Sequence, residues 1–326
     1  MGQKQFLLTI GLLFTLILPD VASGKEKLLV ADKFSATINV IDVDSYQVIE
    51  SVPNSVVGAQ AMAVFRDDLY FVYSPYIDIY LKNSFTYQKT IEFDGFLTPG
   101  LSKIRITPDG KKMYLGLVGW GKEADSGIYI IDLVASKAEK VIDKNDITSG
   151  YLDISPDGKY LSYGKTGSLV VINTTDDTKA VALTLNLKKN EFVRDVVFGD
   201  GNLLYAILYY YPADSQKNDR LLIYDLVKRD QKTISLHEDA VRMFFGKDKY
   251  LYIACKKRFV KIDTAQMGIV QTIDISGGDI CMTNDNIKIF ISVPGDNEVV
   301  VIDSRDFKVL SKIKVGDEPY ALLMYE

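Results

Sequence analysis

An all-β ring of seven four-stranded units is the fold this sequence predicts, and three observations carry the prediction. A short apolar stretch ending in Ile-Asp or a near equivalent recurs along the chain. A tight turn of the Pro-Asp-Gly type recurs ahead of it. Apolar residues follow strand patterns throughout, and no segment of useful length places them at helical spacing.

The first marker appears at Asp42, Asp132, Asn173, Asp225, Asp263 and Asp303. The gaps are 90, 41, 52, 38 and 40 residues, so the first gap spans two periods. The missing unit is visible at Leu69–Phe93, without its acidic marker. That makes seven units. The second marker reads TPDG at Thr107–Gly110, SPDG at Ser155–Gly158 and FGDG at Phe198–Gly201. Weaker copies start at Phe65, Gly246 and Thr283. Proline presets the first turn dihedral, aspartate bonds the local backbone, and glycine accepts positive φ. Between the markers run β-rich segments such as KMYLGLV and KYLYIAC. Four short strands per period of about 40–45 residues indicate a β-propeller. The marker carboxylates are expected to cap the turn between third and fourth strands.

The chain ends predict how the ring closes. The segment from Lys27 reads as a second strand, and its missing first strand appears at Glu318–Glu326. The C-terminal strand should therefore complete blade 1.

Leu28–Val52 and Val299–Pro319 resemble YVTN-type seven-bladed propeller repeats. The resemblance spans nearly all of residues 25–326, strongest in blades 1, 3, 4 and 7. It implies a fold shared by exported binding proteins, sugar-lactone hydrolases, and cofactor-free propeller subunits like the amine dehydrogenase β chain. One such fold hosts many activities.

Residues 1–24 read as a secretory signal: Lys4, an apolar run from Phe6 to Leu18, then Ala22, Ser23 and Gly24. The expected mature protein is one propeller domain over residues 25–326, periplasmic or extracellular. No later segment is apolar enough for a membrane span. A net charge of −5 gives no global footprint for nucleic acid or an anionic membrane. One His and two Cys leave no usual zinc site, and no covalent-haem, P-loop or nucleophile-elbow motif is present. No bound cofactor and no catalytic centre are expected. His237 lies in an expected exposed loop between blades 5 and 6. Cys255 and Cys281 stand on facing blades as candidates for a disulfide, or as two buried thiols.

A binding rim is expected where the long loops gather. Val118–Gly127 carries the single Trp, Trp120, and the loop after blade 5's second strand carries Tyr209, Tyr210 and Tyr211. Trp and Tyr are favoured interface contacts; the alternative is that they cap neighbouring loops. Counting six residues back from each turn aspartate selects Ala61, Lys103, Tyr151, Arg194, Arg242 and Asp279 for the channel mouth. Lys103, Arg194 and Arg242 would form a local basic site for a small anion or an acidic partner surface. The alternative pairs Arg194 with Glu191 or Asp195, and Arg242 with Asp239. The leading expectation is a non-catalytic scaffold that binds a protein or ligand through the blade 3–5 rim. The second is a propeller subunit docked to a haem-bearing redox partner. A lactonase-like hydrolase comes third, because it needs a cluster of channel carboxylates and the count supplies only Asp279.

Overall fold

The computed structural model describes residues 25–35, 37–53, 59–73, 75–93, 103–118, 126–144, 146–185, 187, 191–210 and 219–326. The expected signal segment, Trp120 and Tyr211 lie outside the described residues.

Blade 1 contains β1 (Lys27–Asp32), β2 (Thr37–Asp42) and β3 (Gln47–Pro53). Blade 2 is β4 (Ala61–Phe65), β5 (Asp68–Tyr73), β6 (Tyr76–Leu81) and β7 (Tyr87–Glu92). Blade 3 is β8 (Lys103–Ile106), β9 (Lys112–Leu117), β10 (Gly127–Asp132) and β11 (Lys137–Ile142). Blade 4 is β12 (Ile147–Ile154), β13 (Tyr160–Lys165), β14 (Ser168–Asn173) and β15 (Thr178–Thr184). Blade 5 is β16 (Glu191–Phe198), β17 (Leu203–Tyr210), β18 (Arg220–Asp225) and β19 (Asp230–Ser235). Blade 6 is β20 (Ala240–Phe245), β21 (Tyr250–Cys255), β22 (Phe259–Asp263) and β23 (Gly268–Ile273). Blade 7 is β24 (Ile280–Met282), β25 (Lys288–Val293), β26 (Glu298–Asp303) and β27 (Val309–Lys314). The last strand, β28 (Pro319–Tyr325), pairs antiparallel with β1 and completes blade 1 in the order β28-β1-β2-β3.

Alternation along the middle strands explains why the sheets assemble into a ring. In β9, Met113, Leu115 and Leu117 pack toward blade 2, while Tyr114 packs toward blade 4. A blade with two apolar faces needs a neighbour on each side. The described residues supply one apolar cluster at every junction, including blade 7 with blade 1 and blade 1 with blade 2. Each fully buried Leu, Ile or Phe in these layers contributes about 1.5–3 kcal/mol.

The marker carboxylates cap the expected turns. Asp42 Oδ1 accepts the Ser45 N–H at 2.7 Å, Asp132 accepts Val134 and Ala135 at 2.8 Å, and Asp225 accepts Val227 and Lys228 at 2.9 Å. The fourth residue after the marker is left-handed, as in Tyr46, Ser136, Asp177, Arg229, Met267 and Phe307. Blade 2 has Leu81 in the marker place and keeps the same backbone turn through Phe85, at φ 49°. Lysines tie these turns to the preceding blade. Lys112, Lys261 and Lys288 each donate to the carbonyl just after a neighbouring marker: Thr174 at 3.0 Å, Ser304 at 2.7 Å and Val43 at 2.9 Å.

Of the two alternatives for the cysteines, the structure has the pair of buried thiols. Cys255 and Cys281 are free and buried. Cys255 points into the layer between blades 5 and 6, and Cys281 into the layer between blades 7 and 1. Strand alternation turns the two thiols away from each other, with the blade 6–7 core between them. Burial pushes the Cys255 thiol up to about 12 and raises Cys281 well above its ordinary value.

Deleting Pro319–Glu326 should uncover the β1 edge and two apolar layers. The expected result is insoluble protein or loss of the cooperative melt; an unchanged melting temperature would refute ring closure by β28. Stability should also depend on pH in two opposite ways. Burial lifts the Asp32 and Asp219 carboxyls to about 6. The folded state then binds protons that the unfolded state, at about 3.9, does not, so stability rises as pH falls from 7 toward 4. Turn hydrogen bonds hold Asp42, Asp132 and Asp225 below their ordinary value, and the Lys159 and Arg305 side chains hold Asp157 and Asp303 at about 2. Their stabilisation is present above about pH 4 and disappears toward pH 2. A melting-temperature profile should therefore peak between pH 4 and 6, and Asp32→Asn should flatten its neutral side.

Candidate functional site

The innermost strands β4, β8, β12, β16, β20, β24 and β28 surround a central channel of about 380 Å³. Ala61, Lys103, Tyr151, Arg242 and Asp279 line it near the end where these strands begin. Gln60 and Tyr320 join them there, and the Tyr320 hydroxyl donates to the Gln60 carbonyl across the blade 1–2 junction.

Arg194 departs from this arrangement. A bulge between Val193 and Asp195 leaves Arg194 as the extra residue of β16. Its guanidinium turns toward blade 6, donates to the Ala240 carbonyl at 2.9 Å, and lies 4.9 Å from the Tyr209 ring centroid. The pairings foreseen for Arg194 and Arg242 do not form. Glu191 instead takes a two-pronged bond from Arg220, at 2.7 and 2.5 Å. The nearest carboxylate to Arg242 is Asp279, 3.9 Å from Nε.

The bulge brings Asp195 into play. This carboxylate is fully buried and accepts the Val196 N–H and, across the junction, the Met243 N–H, both at 2.8 Å. Lys103 reaches it from blade 3 at 3.8 Å. Burial pushes Asp195 up and Lys103 down, and each charge opposes the other's shift. Asp153 repeats the pattern one blade earlier, accepting the Phe198 N–H at 2.9 Å and Arg105 Nε at 2.6 Å. Asp279 does so at the ring seam, accepting the Leu322 N–H at 2.9 Å. Three inner-strand carboxylates thus bind the backbone of the next blade. Asp153 and Asp195 escaped the phase count because it admits one residue per strand and assumes no bulge.

Arg242 spans the channel. Its guanidinium sits 3.4 Å from the Tyr151 ring centroid on blade 4, and the residue is 9% exposed. Burial pulls it down to about 10, which leaves it cationic at neutral pH. Nη1 has no hydrogen-bond partner among the described residues, and neither does Gln60 Oε1. Both atoms are buried.

The expected aromatic rim divides. Tyr209 is half-buried and packs against Phe192, with centroids 6.0 Å apart, as well as against Arg194. Tyr210 is buried at 5% exposure, so it is a packing residue and not a contact residue. The strands leading to the two long loops, β9 and β17, end beside the starts of β8 and β16. His237 is exposed in the turn before β20, at φ 56°. Among the described residues, no three of His, Cys, Asp and Glu cluster to hold a metal ion, and no helix is long and apolar enough to cross a membrane.

No protein-family profile matches the chain. The uncharacterized protein YwhL of Bacillus subtilis strain 168 is 24% identical over 326 residues, covering 95% of this chain and 67% of that one. Hydrazine synthase of Kuenenia stuttgartiensis is similar in structure, with a TM-score of 0.72 at 17% identity over 86% of this chain and 92% of that chain. The periplasmic gluconolactonase of Pseudomonas aeruginosa scores 0.68 at 10% identity, over 92% and 99%. The dihydro-heme d1 dehydrogenase NirN scores 0.60 at 13% identity, over 91% and 74%. Such identities show a shared fold alone.

Removing one partner of a buried pair strands the other charge, at a cost of about 3–5 kcal/mol. Asp195→Asn should lower stability by that order in urea denaturation. Adding Lys103→Met should recover part of the loss, and strictly additive effects would show that the two side chains do not interact.

Proposed function

We propose that this protein is an exported binding scaffold that holds a protein partner or ligand at the channel rim of blades 3 to 5. The observation that carries the reading is Tyr209, half-buried at that rim and held between Phe192 and the Arg194 guanidinium. An aromatic ring fixed before binding loses little freedom on contact. Export is supported by the signal-like residues 1–24.

A second reading makes the chain a propeller subunit of a haem-bearing redox complex. The likeness to the dihydro-heme d1 dehydrogenase NirN supports it. A lactonase-like activity ranks behind both. The carboxylates it would recruit, Asp153 and Asp195, are held by Arg105, Lys103 and backbone N–H groups.

Purification of the tagged protein from its own host, with a visible spectrum and mass spectrometry, tests these readings. The scaffold reading expects a colourless preparation with a stoichiometric partner. Tyr209→Ala should weaken that partner at least thirtyfold, the scale of an interface hot spot, while stability stays within about 2 kcal/mol. Haem absorbance with a stoichiometric cytochrome would move the redox reading to first place. Unchanged partner binding by Tyr209→Ala would remove Tyr209 from the surface.

A further inference from the structure

The central channel carries two unmet hydrogen-bonding needs of opposite sign. Arg242 Nη1 is a buried cationic donor with no partner among the described residues, and Gln60 Oε1 is a buried acceptor with none. Both residues line the same cavity. Leaving such atoms desolvated and unpaired is costly, more so for the charged one. The other channel charges are differently placed. Lys103 faces Asp195, Arg105 bonds Asp153, and Asp279 accepts a backbone N–H. Asp279 Oδ1 lies 3.9 Å from Arg242 Nε, beyond hydrogen-bond reach. Arg242 therefore meets Asp279 through charge alone and keeps Nη1 unbonded. Its ring contact with Tyr151 fixes the guanidinium plane without using the N–H groups that point along it.

We infer that the channel is a binding site for a small organic acid, its carboxylate taken by Arg242 and a neighbouring hydroxyl or ammonium group donated to Gln60. A carboxylate is a matching acceptor for the unbonded guanidinium N–H groups. The remaining wall is mixed, with Met62, Phe244 and Leu323 offering apolar surface to a short carbon chain. A volume of about 380 Å³ suits a ligand of modest size. The site stands apart from the rim reading: a partner on Tyr209 and an acid in the channel are separable.

Calorimetric titration with a matched six-carbon series tests the inference: hexanoate, 2-hydroxyhexanoate and norleucine, with 2-hydroxyhexanamide as the uncharged control. At least one of the two donor-bearing acids should bind at least tenfold tighter than hexanoate, and the amide should not bind. Preference for norleucine assigns an amino acid, and preference for the hydroxy acid assigns a hydroxycarboxylate. Arg242→Met should abolish binding of all three acids. Gln60→Leu should erase only the tenfold preference, which keeps the inference testable if Arg242→Met does not fold. No binding of any acid at 10 mM, about the limit of a weak single-anchor site, would overturn it. So would acids that bind folded Arg242→Met as tightly as the parent, or a preference unchanged by Gln60→Leu. Neither failure touches the Tyr209 surface, whose readout is partner retention.

Discussion

A four-stranded blade has two apolar faces and can hide neither alone, and the rest of this structure answers that constraint. The middle strands are apolar on both sides, so each sheet is stable only between two others. Six sheets are simple meanders, and the seventh borrows its innermost strand from the far end of the chain. Hydrophobic burial is non-directional, and polar contacts set how the blades align. Carboxylates of the inner strands hold the backbone of the next blade, and lysines of the middle strands hold its outer turn.

These contacts explain the character of the channel. A ring narrow enough to bring Lys103 to Asp195, two blades on, also brings Arg242 against Tyr151. Charges that would be costly to bury alone are arranged as neighbours, so the opening is polar yet largely neutralised. What distinguishes individual groups is their hydrogen bonding. Asp195 accepts two backbone N–H groups, whereas Arg242 lies between an aromatic face and a carboxylate beyond bonding distance.

The ring was legible because its punctuation is chemical. A marker aspartate must accept N–H groups at a fixed offset, so Asp42, Asp132 and Asp225 recur at blade spacing. Blade 2 shows the limit: Leu81 supplies no carboxylate, and the turn survives on backbone geometry alone. Channel residues were legible wherever β4, β8, β12, β20 and β24 keep phase with their turns. Arg194 was misplaced because a single bulged residue reverses direction, which no spacing rule shows. Gln60 lies just ahead of β4, where a strand pattern carries no signal. Strand parity is what separates the two alternatives for the thiols: Leu251, Ile253 and Cys255 share one face of β21, away from blade 7.

The pairing of Lys27 with Tyr325 has a consequence for how the molecule comes to be folded. Blades 2 to 7 can each form from a contiguous stretch as it emerges, by local hairpins. Blade 1 must wait, its β1 edge open, until β28 is made. Bringing β1 and β28 together over about 300 residues costs about 4 kcal/mol more entropy than closing a hairpin turn. On topological grounds this is the slowest contact, and the chain is most exposed to aggregation just before it forms. The strand that finishes the ring therefore also sets the timing of its assembly.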